Sequence, residues 1–285
     1  MKKLRFATAG IPISTEPRDT LNGIKRVREL GLGGMELEFV RNVNVSKELA
    51  PKVKKLAEEL DVTLTCHGSY FVNLNSLEKE KRKASTQRIL AAARRAWESG
   101  AFSVTFHAAF YQKTEPKKVY ENVKTELKKI TETLARESNK IWVRPETTGK
   151  PSQFGTVEEI VSLSRELEQV LPCIDFSHLY ARSNGKFNSF KDFSGVLELI
   201  EKDLGKKALK ELHCHVSGIE FGEKGERKHL ILEKSKFNYV ELLRAFKEFN
   251  CAGVIVCESP SIERDALLLK STFDQNQNIK NHPLQ

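Results

Sequence analysis

An acid and an imidazole stand three residues apart at the end of an apolar run, Cys173-Ile174-Asp175-Phe176-Ser177-His178, and each can ligate a metal ion. Asp-x-x-His recurs by chance, so the pattern gains weight only through repetition. Other apolar runs end in His67, His107, Glu146 and Glu258, a further run holds both His213 and His215, and the loop beyond it carries Glu226 and His229. One strand-end histidine is more often a hydrogen-bonded core residue than a ligand. Six of the seven histidines belong to this set, which is hard to explain in that way. Carboxylates gathered beside them repel one another unless cations offset the charge. The mixture of imidazole and carboxylate suits zinc, and manganese accepts the same donors. There are more donors than one tetrahedral zinc takes, so we expect two or three zinc ions sharing carboxylates. Such a cluster is suited to phosphoryl transfer, whereas one metal with an acid pair suffices to move protons in a sugar.

Positioning these groups requires strands that end at one place. Short apolar runs at Leu4–Thr8, Met35–Phe39, Val62–Cys66, Phe102–Phe106, Ile141–Val143, Leu171–Phe176, Leu209–Val216 and Gly253–Cys257 alternate with segments of helical periodicity. Eight strands alternating with eight helices predict a single-domain α/β fold, a (β/α)8 TIM barrel over residues 1–273, with catalytic groups at its C-terminal mouth. An open doubly wound sheet is the alternative, weakened by the lack of a glycine-rich phosphate turn after the first strand. Within Met35–Phe39 the period of two puts Glu36 and Glu38 on one face, where they read as supporting rather than ligating groups. Gly218–Lys236 reads as a long loop, and residues 274–285 as a polar, disordered tail in which His282 is a bystander.

Composition adds a direction but no chemistry. The net charge of +9 over 285 residues favours a polyanionic partner. Five cysteines without CxxC spacing read as buried thiols in a reducing cytoplasm, and no run reaches the length of a membrane span. We therefore expect a soluble cytoplasmic protein with no membrane partner.

The motifs carry a resemblance. His67-Gly68-Ser69-Tyr70-Phe71-Val72-Asn73-Leu74 resembles the His-x-Ser-Tyr-x-x-Asn-Leu block of the endonuclease IV family, the zinc-dependent apurinic/apyrimidinic endonucleases. Glu146-Thr147-Thr148-Gly149 is similar to that family's Glu-Asn-Thr-x-Gly segment, Cys173–His178 to its Cys-Ile-Asp-x-x-His block, and Glu258-Ser259-Pro260 falls where its last ligand glutamate does. The resemblance runs from Val62 to Glu258. It implies a xylose-isomerase-like barrel that cleaves DNA on the 5′ side of abasic sites, with His67, His107, Glu146, Asp175, His178 and Glu258 as zinc ligands. Glu146 would bridge metals, and Glu146 and Glu258 would carry the catalysis. Tyr70 and Asn73 would contact DNA, and the basic loop from Arg182, with Lys81, Arg82 and Lys83, supplies candidate phosphate contacts.

Two departures mark a divergent branch. Where the family has one histidine and then Asp-x-His, this chain has His213-Cys214-His215 and then Glu226-Arg227-Lys228-His229, leaving the choice between His213 and His215 open. After His107 comes Ala108-Ala109-Phe110 in place of Pro-Gly-Ser-His. A sugar isomerase or epimerase, with Glu146 and Glu258 as its proton-transfer pair, is the alternative function, and a non-catalytic DNA-binding barrel stands third.

Overall fold

A computed structural model describes residues 1–278. In chain order it runs β1 (Leu4–Ala9), α1 (Thr20–Glu29), β2 (Gly34–Glu38), α2 (Ala50–Glu59), β3 (Thr63–His67), α3 (Lys79–Glu98), β4 (Ser103–Phe106), β5 (Ala109–Phe110), α4 (Pro116–Arg136), β6 (Trp142–Pro145), β7 (Gln153–Phe154) and α5 (Val157–Glu166). It continues through β8 (Ile174–Asp175), α6 (Phe176–Arg182), α7 (Phe190–Leu204), β9 (Leu212–Val216), β10 (Gly218–Gly222), β11 (Gly225–Leu230), α8 (Tyr239–Glu248), β12 (Gly253–Cys257) and α9 (Glu263–Asn278). Eight parallel strands lie in the order β6-β4-β3-β2-β1-β12-β9-β8. Parallel bridges from Val143 to Val170 and from Glu146 to Cys173 join the two ends, closing the TIM barrel that the sequence predicts.

Local chemistry sets the element ends. Asp19 caps α1 by accepting the amide of Asn22, and capping boxes start α5 (Thr156 with Glu159) and α7 (Ser189 with Asp192). Ser46 accepts the amide of Leu49 in the turn that leads into α2. Outside the sheet, apolar faces such as Ile24 and Val27 of α1 and Leu127 and Ile130 of α4 pack in a shell around the barrel. Inside, Ala7, Val254 and Val256 form a separate small apolar cluster, and much of the remaining interior is polar, with Glu36, Thr65, Thr105, Arg144, His213 and His215 all buried.

Three elements differ from the expectation. The sixth barrel strand is regular only at Ile174–Asp175, because the Asp175 carboxylate accepts the amide of His178 and turns the chain directly into α6, a helix the hydrophobic pattern does not announce. The expected loop Gly218–Lys236 contains the antiparallel hairpin β10–β11, tightened by Gly225 at φ 85°. The last helix continues past Phe273 to Asn278, so residues 274–278 are helical rather than part of a tail; residues 279–285 and His282 lie outside the described residues. No helix among the described residues is long and apolar enough to cross a membrane. All five cysteines are buried free thiols.

Candidate metal centre

The barrel gathers the expected groups at its C-terminal mouth, around Glu146. This carboxylate, fully buried at the end of β6, has its Oε2 3.3 Å from His67 Nε2 and its Oε1 3.1 Å from His215 Nδ1, 3.5 Å from His178 Nδ1 and 3.6 Å from His107 Nε2. Glu258, following β12, lies 3.4 Å from His215 Nδ1, and Asp175 Oδ2 lies 3.3 Å from His178 Nδ1. On the hairpin, Glu226 Oε2 is 3.4 Å from His178 Nε2 and Oε1 is 3.9 Å from His229 Nε2. Six strand ends and one hairpin thus converge on one small volume.

For four of the imidazoles a second contact indicates which nitrogen faces the centre. His67 Nδ1 lies 2.9 Å from the Gly68 carbonyl, His178 Nδ1 2.9 Å from the Thr147 carbonyl and His229 Nδ1 3.1 Å from the Glu258 carbonyl. A carbonyl only accepts, so each Nδ1 donates to it, and Nε2 is the nitrogen that can offer a lone pair to a metal once it gives up any proton. His215 is reversed: its Nε2 lies 2.9 Å from Glu36 Oε1, and Nδ1 faces Glu146 and Glu258.

His213 is different. Its Nε2 lies 2.9 Å from Glu36 Oε2 and its Nδ1 2.9 Å from Ser103 Oγ, so both nitrogens are occupied below the mouth. Of the two histidines of β9, His215 is the one whose Nδ1 faces Glu146 and Glu258 at the mouth.

The electrostatics are those of a site that wants cations. Burial works to raise the Glu146 carboxyl, but the imidazoles of His215 and His107 override it and hold the group well below the usual carboxylate range. Burial likewise disfavours the charged imidazoles of His67 and His178. Glu146 and Glu38 nevertheless push His67 up to about 10, and Asp175, Glu226 and Glu146 push His178 up to about 9. Glu38, on the inward face of β2, is pushed up to about 8 by burial and by the neighbouring Glu36. His213, by contrast, is driven down to about 4 by burial.

Do these residues fit metal ions? Glu146 Oε2 and Asp175 Oδ2 are buried and make no hydrogen bond, a state that is costly unless something positive binds them. Among the described residues five groups have donor atoms within 4.8 Å of one another: His67, His107 and Glu146; Glu146, Asp175, His215 and Glu258; Asp175, His178 and His229; His67, His215 and Glu258; and, deeper in the barrel, Cys173, His213 and His215. The donors are imidazole nitrogens and carboxylate oxygens, which suit zinc and manganese. They fit.

Two close approaches assemble the outer part of the centre. A Cβ on Gly149 would stand 2.7 Å from both Cβ and Oε2 of Glu226, and one on Gly225 would stand 2.2 Å from the Gly149 carbonyl oxygen. Both glycines let the hairpin reach the Glu146 loop and deliver Glu226 to His178. Gly149 ends the motif that follows Glu146, but Gly225 was not singled out from sequence; a glycine next to a ligand run is the available signal.

The expected DNA contacts divide. Tyr70 is 62% exposed on the rim, with its ring 5.7 Å from that of His67. Asn73 instead organises its own loop: its Oδ1 accepts the amides of Asn75 and Phe110. Arg182 has internal partners as well: its Nη1 donates to Thr148 Oγ1 at 3.0 Å and to the carbonyls of Lys150 and Gln153 at 2.7 and 3.0 Å. Backbone carbonyls turned inward by a tight loop attract the guanidinium, which ties down the segment that meets the hairpin. Lys81 pairs with Glu78 at 2.6 Å and Arg82 with Glu126 at 3.9 Å. Exposed Arg41, Lys79, Lys113, Lys191 and Lys224 lie on loops or helix starts that follow barrel strands.

Comparison with known proteins agrees with this architecture. The family model for xylose isomerase-like TIM barrels matches residues 24–279. An uncharacterized protein of Methanocaldococcus jannaschii is 42% identical over 272 residues, covering 95% of this chain and 97% of that one. A probable endonuclease 4 of Finegoldia magna is 27% identical over 241 residues, covering 78% and 81% of the two chains. Among solved structures, endonuclease IV from Thermus thermophilus superposes with a TM-score of 0.74 at 20% identity, over 96% of this chain and 99% of that one. A D-tagatose 3-epimerase-like protein superposes with a TM-score of 0.73 at 18% identity, over 97% and 98%.

Proposed function

The chain belongs to the xylose isomerase-like TIM barrel family, and from that premise we propose that it is a zinc-dependent endonuclease hydrolysing the phosphodiester 5′ to abasic sites in DNA, acting in the cytoplasm. The observation that carries the reading is the number of donor groups. Glu146, Asp175, His215 and Glu258 alone would hold the single ion that a sugar isomerase needs. The two further groups, built on His67 with His107 and on His178 with His229, have no use in that chemistry but supply a two- or three-ion centre. The likeness to a probable endonuclease 4 over 78% of this chain supports the same reading.

Bound metals would activate water and neutralise charge on the phosphate. The protein's own part is to hold and orient. Glu146, facing all three sides of the centre, keeps the donor groups at one spacing, and Glu258 turns the Nδ1 of His215 toward it. Tyr70, exposed beside His67, offers a ring face against a nucleotide displaced from the stack. The basic residues around the mouth hold the phosphate backbone and give the complex a salt-dependent affinity.

The direct test is incision of a defined abasic duplex by metal-replete protein, with a chelated control. Glu146→Gln should abolish incision and leave the melting temperature near that of the parent protein, and undiminished incision by this variant would remove Glu146 from the mechanism. Metal analysis separates the alternative: two or three zinc ions per chain support the nuclease, while one manganese or magnesium with no incision supports a sugar isomerase or epimerase using Glu146 and Glu258 as its proton-transfer pair.

A further inference from the structure

Below the metal centre, the barrel axis holds four polar side chains in line. Ser103 Oγ contacts His213 Nδ1, His213 Nε2 contacts Glu36 Oε2, and Glu36 Oε1 contacts His215 Nε2, each at 2.9 Å. All four residues are fully buried. Neither Glu36 oxygen makes a well-aligned hydrogen bond; burial works to raise its carboxyl, and the two adjoining imidazoles, His215 first, override that and hold it well below the usual range. Isolated charges of this kind are costly to bury, and they persist where a neighbouring group depends on them.

We propose that Glu36 is the positioning residue for His215, and that His213 and Ser103 serve to position Glu36. A ligating imidazole needs its second nitrogen held by an acceptor, which fixes the tautomer, locks the ring plane and raises the basicity of the ligating nitrogen. His67, His178 and His229 get this from the backbone carbonyls of Gly68, Thr147 and Glu258. His215 lies inside the barrel, where its strand neighbours use their carbonyls in the sheet, so a side chain must supply the acceptor. The Glu36 carboxylate, reaching across the barrel from β2, stands in that place, its Oε1 2.9 Å from His215 Nε2. Left alone it could swing toward the mouth, where Glu38 already stands on the same strand face. His213, two residues before His215 on β9 and pinned by the Ser103 hydroxyl, holds its other oxygen and prevents that. The double histidine of β9 is thus one ligand and one brace.

This inference rests on the reading of His215 as a metal ligand. It predicts that Glu36→Gln weakens metal binding at the group formed by Glu146, Asp175, His215 and Glu258 by about 10–100-fold, the scale typical of lost outer partners. The groups around His67 with His107 and His178 with His229 should keep their affinity. Cobalt(II) titration of the metal-free protein reads both: site-by-site affinity against a competing chelator, and a change in the ligand-field absorption of the affected ion. Ser103→Ala should move the same site in the same direction by less. Equal affinities and spectra for the parent protein and Glu36→Gln would overturn the proposal. If Glu36→Gln does not fold, an unchanged site in Ser103→Ala overturns it instead. Parent protein that binds no cobalt would break the metal-centre reading itself, a different failure.

Discussion

His213 and His215 sit two residues apart on one strand, face the same way and are equally buried, yet the protein treats them in opposite ways. Burial with a single acid partner drives His213 down to about 4, so it is neutral near pH 7. Burial opposes charge on His215 as well, but the groups around it, Cys173, Glu258, Glu146 and Glu36, override it and push its pKa well above the usual value. The difference is the number of acids within reach. Deep in the barrel His213 has the Ser103 hydroxyl at Nδ1 and one carboxylate, Glu36, 2.9 Å from Nε2, whereas at the mouth Nδ1 of His215 faces both Glu146 and Glu258. In the metal-free protein, protons on the mouth imidazoles provide the positive charge that a metal would otherwise bring.

The largest disturbance of the mouth should come from the hairpin. Gly225→Ala places a side chain at φ 85° and 2.2 Å from the Gly149 carbonyl, so Glu226 and His229 must withdraw. We expect loss of the metal at the His178 group and a stability cost of about 1–3 kcal/mol, read by metal analysis and thermal melting. An intact third site in this variant would show that the hairpin does not depend on the close approach.

Acidity should separate the two regions next. With His67 raised to about 10 and His178 to about 9, both hold protons at pH 7, so metal loading must displace more than one proton per chain and affinity must climb between pH 7 and 9. Calorimetry in buffers of different ionisation enthalpy measures the release. For the metal-free fold the signs are opposed. Raised imidazoles contribute stability that is present below about pH 6.5 and lost as pH rises through 9 to 10, whereas the depressed His213 contributes stability present above about pH 6.5 and lost as pH falls toward 4. His67→Asn should therefore flatten the alkaline limb of a stability profile and His213→Asn the acid limb. The same effect of both variants on one limb would break the comparison.

Arg182→Ala comes third. Removing donors that hold Lys150 and Gln153 should cost about 1–3 kcal/mol while leaving the salt dependence of DNA affinity unchanged. A reduced salt slope would return Arg182 to the phosphate-binding role expected from sequence. Smallest of all, Lys113→Ala on the rim should leave folding intact and lower the slope of log affinity against log salt by roughly 0.9, one phosphate contact.

The sequence by itself determined the alternation of strands and helices, and with it the barrel, because a period of two and a period near 3.6 are written in the spacing of apolar residues. It also determined which acids and imidazoles end the strands, since closing a parallel barrel brings every strand end to one mouth. Only the tertiary structure separates the surroundings of His213 and His215, which share a face and differ by one residue pair in depth. The partners that distinguish them, Ser103 and Glu36, come from β4 and β2, across the barrel and far along the chain. The same holds for Arg182: a charged residue in a polar loop looks exposed until the carbonyls of another loop fold over it. Periodicity records which way a side chain points, and the folded chain decides what it meets there.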